Sequence, residues 1–97
     1  MKNDRKKEEE DMDTKIRELV KRKNEGDFGP QTIDLCFEIL EKEARIAEQC
    51  RIAIILSGMI KKGLGKRTQK FLKANEKRLF GRAKEVLHSS LMRMEGF

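Results

Sequence analysis

From Met12 the apolar positions fall into step: Met12, Ile16, Leu19 and Val20 stand at i, i+4, i+7 and i+8, one stripe along an amphipathic helix. Residues 24–30, NEGDFGP, then collect turn formers. The first helix is therefore predicted to stop near Gly26, with Pro30 suited to the first turn of the next. Phe28, inside that turn, reads as a plug packed back onto the body. A second helix is predicted over residues 31–62, about 48 Å long if unbroken. Ile33, Phe37, Leu40, Ala44 and Ala47 form its main stripe, with Cys36 and Ile54 on one flank and Ile55 on the other. Leu35, Ile39, Ile46, Cys50, Ala53 and Ile60 emerge on another face. Residues 52–60, IAIILSGMI, are apolar almost all round, and such a surface has to be enclosed.

Gly58 in a helix interior costs about 1 kcal/mol relative to alanine, which points to a close helix crossing. Gly63 and Gly65 read as the end of this helix, with Leu64 packing back on its last turn. The third helix is predicted from 66 or 68 to 94, with Leu72, Leu79, Ala83, Val86, Leu87, Ser90, Leu91 and Met94 inward and Phe71 and Phe80 flanking. Gly81 reads as a second close contact. Residues 1–11 are almost wholly charged and form a tail or a frayed helix extension; residues 12–97 form a single helical domain. The predicted fold is all-α, a three-helix bundle dominated by a long antiparallel hairpin of helices two and three.

Composition agrees with helix. The 97 residues include one Pro and no Trp or Tyr, with 37% hydrophobic and 41% charged residues. No run of 18 apolar residues exists and the first residues contain no apolar signal core, so no membrane association and an intracellular place, nuclear or cytoplasmic, are expected. Cys36 and Cys50 would lie roughly 21 Å apart along one helix, too far for a disulfide. With His88 the sole histidine, no zinc-ligand spacing appears, and no metal or cofactor is expected.

Charge changes the picture more. Residues 1–60 hold twelve bases and fourteen acids, a balance of −2, whereas residues 61–84 hold ten bases against the single acid Glu76, a balance of +9. The bases are Lys61, Lys62, Lys66, Arg67, Lys70, Lys73, Lys77, Arg78, Arg82 and Lys84. The elbow KKGLGKRTQK is not a phosphate loop of the GxxxxGK[ST] kind: the residue after Gly63 is Leu64, and Ile60 stands where the glycine preceding Gly65-Lys66 should be. On one continuous helix Lys66, Lys70, Lys73, Lys77 and Lys84 would share a face over about 27 Å. A lysine row without interleaved aromatics suits phosphate neutralisation, which is salt-sensitive and indifferent to sequence. All ten bases are candidate nucleic-acid contacts, to DNA or RNA; an acidic protein patch and plain solvation are the alternatives. No catalytic residue is assigned, because His88 has no second histidine and no cysteine nearby and Glu38, Glu41, Glu43 and Glu48 read as a solvated surface. An enzyme is not expected, nor a small-molecule substrate.

The apolar stretch suggests a partner interface of Ile54, Ile55, Met59, Leu91 and Phe97, closing a homodimer or hetero-complex. Two short patterns add to this. The turn Phe28-Gly29-Pro30, and Leu91, Met92, Arg93, Glu95 and Phe97 at the end, resemble the helical domain of GINS subunits, components of a replication-fork helicase assembly. The resemblance implies a scaffold subunit in DNA replication without an active site. The small β-domain of that family has no counterpart here, and the basic elbow would be an insertion.

Overall fold

The periodic stripes resolve into five helices: α1 (Lys2–Asn24), α2 (Pro30–Lys42), α3 (Ile46–Met59), α4 (Gly65–Ala74) and α5 (Gly81–Glu95). The computed structural model describes residues 2–59 and 64–95, with side chains for 10–59 and 64–93. Among the described residues there is no strand, and the fold is all-α. The charged N-terminal segment continues α1 back to Lys2.

The first turn forms as its residues dictate. Gly26 adopts φ 76°, and Asp27 N–H donates to the Arg22 carbonyl while Gly26 N–H donates to that of Lys23, closing α1 with a left-handed cap. Gly29 then caps α2 in extended conformation with Pro30 at its first position. Phe28 does not plug the body; it is 44% exposed.

The predicted second helix is two helices, broken at residues 43–45, although EKEAR contains only good helix formers. Side chains from elsewhere cause the break. The Glu43 carbonyl accepts from Gln49 Nε2 and from Arg78 Nη1, both at 3.0 Å, instead of from a backbone amide. Arg45 N–H donates to Glu43 Oε1 at 2.9 Å instead of extending α2. The Glu43 carboxylate, only 2% exposed, also takes Arg45 Nε at 2.7 Å, and Arg45 Nη2 reaches Asp13 of α1 at 2.7 Å. These contacts hold the Arg45 guanidinium well above its ordinary range, mainly through Glu43.

The predicted third helix is likewise two. Asn75 Nδ2 caps α4 on the Phe71 carbonyl at 2.9 Å. Phe80 N–H, which a continuous helix would send to Glu76, goes to Gln49 Oε1 at 2.7 Å. Gly65 begins α4 instead of ending a helix; Gly63 and Ile60 lie outside the described residues.

These breaks replace the long hairpin. Lys15 pairs with Glu38 at 2.6 Å and Asp13 with Arg45, so α1 and α2 run antiparallel. Gln49 meets Phe80 and Ser57 meets Ser90, so α3 and α5 lie parallel, with α4 as the return between them. Residues 52–59 are thereby covered within the chain: α3 packs on α2 and on α5, burying Ile52, Ala53, Ile55, Leu56 and Met59. The shared core adds Ile16 and Leu19 of α1, Cys36, Ile39 and Leu40 of α2, and Ala83 and Leu87 of α5. Ala44 and Ala47, placed on a stripe by the sequence, are exposed, since the break rotates them outward. Gly58 and Gly81 are not crossing points: both are exposed and an added Cβ would meet nothing within 4 Å.

Candidate nucleic-acid interface

Of the ten candidate bases Lys61 and Lys62 fall outside the described residues, and the other eight divide into three groups. Two arginines, both exposed, bond back to the protein surface. Arg67 Nη2 pairs with Asp34 Oδ1 at 2.6 Å, and its guanidinium lies 4.5 Å from the centre of the Phe37 ring. The Phe71 ring meets the same Phe37 edge-on, with centroids 5.1 Å apart, so α4 is seated on α2 through the Phe37 ring and the Asp34 carboxylate. Arg78 donates to the Glu43 carbonyl, and its partial burial lowers its pKa against the opposing pull of Glu41 and Glu43.

Four lysines turn outward and converge. Lys66, Lys70 and Lys73 stand at i, i+4 and i+7 on α4 and line one wall of an open groove of about 970 Å³; Lys84 of α5 lines the other. The convergence follows from the turn at 75–80. It folds the predicted rod back on itself, so that bases expected in a row face each other across a cleft. Gln69, Leu72, Glu76, Gly81, Glu85, His88 and Leu91 complete the lining. Lys84 Nζ also donates to the Glu76 carbonyl at 3.1 Å, bridging one end. Among the described residues no ion pair engages Lys66, Lys70 or Lys73.

Lys77 and Arg82 are exposed but do not line the groove. Lys77 was expected on the shared face; α4 ends at Ala74, which leaves it in the turn. Gln69 and His88 were not foreseen as lining residues. A sequence signal exists for each: Gln69 is three positions after Lys66, and His88 four after Lys84.

Of the residues expected at a partner interface, Ile55, Met59 and Leu91 are buried in this chain's own core and Phe97 lies outside the described residues. Ile54 is 59% exposed and, with Ile46 at 56%, borders the half-buried Cys50 along an i, i+4, i+8 line of α3. Cys36 is fully enclosed, and burial pushes its thiol up to about 12. Among the described residues no cluster of His, Cys, Asp or Glu could hold a metal ion, and no helix is long and apolar enough to cross a membrane.

Comparisons with protein-family models, with curated proteins and with solved structures give no match to this chain. Its class is therefore stated from geometry: an all-α protein with a lysine-walled groove between two antiparallel helices.

Proposed function

We propose that this protein is a non-catalytic, intracellular binding module that contacts nucleic-acid phosphates through the α4–α5 groove, independently of sequence. One observation carries the reading: Lys66, Lys70, Lys73 and Lys84 come from two helices to one concavity, and among the described residues no ion pair engages the three on α4. Clustered ammonium groups of this kind bind a polyanion by releasing its condensed counterions, so affinity falls steeply with salt. The lining holds four lysines against one amide, Gln69, that could read a base edge, so phosphate contact dominates.

The test is a salt titration of binding to generic oligonucleotides, comparing the wild type with the double variant Lys70→Gln/Lys73→Gln. The variant should bind about tenfold more weakly near 0.1 M salt, with a shallower dependence on salt. Unchanged affinity and slope would remove the groove from the reading.

The exposed line Ile46, Cys50 and Ile54 favours a second reading, a scaffold subunit held in a homodimer or in a hetero-complex such as a GINS-like replication assembly. It predicts that Ile54→Glu abolishes assembly, measured by light scattering, while the lysine changes leave assembly intact.

A further inference from the structure

We infer that the groove takes a single strand in preference to a duplex, with the sugar-phosphate backbone on the lysines and a base seated against Leu72 and the His88 ring. This rests on the nucleic-acid reading above and adds the strandedness of the ligand. The lysines occupy both walls: Lys66, Lys70 and Lys73 on α4, Lys84 on α5. A single backbone lying along the groove meets both walls, and its unpaired bases are free to turn toward the apolar part of the lining, which the bases of a duplex, held in their stack, are not. The three α4 lysines span about 10.5 Å by helical rise, room for two or three successive phosphates of one strand.

The floor supports the same conclusion. Leu72 is half-buried and lines the cleft, offering an apolar seat that a splayed base fills and a paired base cannot reach. His88, exposed on α5, supplies the one ring of the same lining, and bases stack on imidazole faces in single-strand recognition. Glu76 and Glu85 also line the cleft. Their carboxylates repel phosphate, which restricts the backbone to the lysine-rich stretch and leaves the base to meet the remainder.

Fluorescence anisotropy with a labelled ten-thymidine strand, a ten-uridine strand and a ten-pair duplex tests this. The single strands should bind at least fivefold tighter than the duplex. His88→Ala should weaken single-strand binding roughly five- to tenfold without altering the salt slope, because stacking releases no counterions, and His88→Phe should restore it. Circular dichroism checks that each variant remains folded. A duplex that binds as tightly as the strands, still weakened by Lys70→Gln/Lys73→Gln, overturns the inference and leaves the nucleic-acid reading standing. Strand preference without any effect of His88→Ala overturns the base seat. Failure of every oligonucleotide to bind overturns both readings.

Discussion

Arg67 and Arg78 belong to the same basic segment as Lys66, Lys70, Lys73 and Lys84, yet the two sets have opposite fates. The arginines reach back into the protein, one stacked on Phe37 and paired with Asp34, the other donating to the Glu43 carbonyl. The lysines stand at the surface around a groove. The difference follows from the head groups. A guanidinium is weakly hydrated, planar and suited to rings and carbonyls at the protein boundary, whereas a compact ammonium is strongly hydrated and remains in water. These bases, from a segment with a charge balance of +9, therefore divide in two: arginines that stay exposed but are committed to contacts within the protein, and lysines of the groove left to meet a ligand.

Four changes probe this division, beginning with the largest. Glu43→Ala removes the buried carboxylate that ends α2 and holds Arg45, and should destabilise the fold by about 2–3 kcal/mol, measured as a lower urea midpoint at unchanged slope. Lys70→Gln/Lys73→Gln should alter stability by less than about 0.5 kcal/mol while reducing polyanion affinity about tenfold. Arg78→Gln should show the reverse pattern: about 1 kcal/mol of stability lost, and a salt slope equal to that of the wild type. If Arg78→Gln flattened the slope as the lysine changes do, the division into two halves would fail. The smallest effect is expected at Glu38, whose carboxyl is held below its ordinary range by the hydrogen bond from Lys15. A lowered folded-state value contributes stability above the unfolded value and loses it as the pH falls through the folded one. Glu38→Gln should therefore cost less than about 1 kcal/mol at pH 7, since both partners are partly exposed, and the cost should shrink as the pH falls below the unfolded value and through the lowered folded one. Thermal midpoints of the two proteins along an acid titration decide it.

Helical class and most of the core were legible because they depend on local spacing. Ile16, Leu19, Ile33, Phe37, Leu40, Ala83 and Leu87 lie on predicted stripes and are buried. The turn at 24–30 was legible because glycine and proline impose it. The breaks at 43–45 and 75–80 were not, because the local bonds at each, Arg45 N–H to Glu43 Oε1 and Asn75 Nδ2 to the Phe71 carbonyl, act together with partners from distant segments. Gln49 supplies a donor to one break and an acceptor to the other, and its partners are six and 31 positions away. No pattern within either segment announces such a bond. The site was legible as charge and illegible as shape: the count of bases identified the segment, but only the turn at 75–80 sets Lys84 opposite Lys70. The excess apolarity of residues 52–59 was visible, while its cover was not, since parallel packing of α3 and α5 pairs residues more than 30 positions apart.

Phe37 carries a consequence beyond the core it belongs to. Its ring is met by Phe71 and by Arg67, both from α4, a helix whose fully buried residues are only Gly65 and Thr68. On its α2 side the lysine-bearing wall of the groove thus rests on this one ring and the Arg67–Asp34 pair, as on a pin, while Leu72 packs on the core and α4 contacts α5 on the far side. In hydrogen-deuterium exchange the amides of α4 should open before those of α3, and trimming that pin to leucine should loosen the wall while the α2–α3–α5 body stays shut.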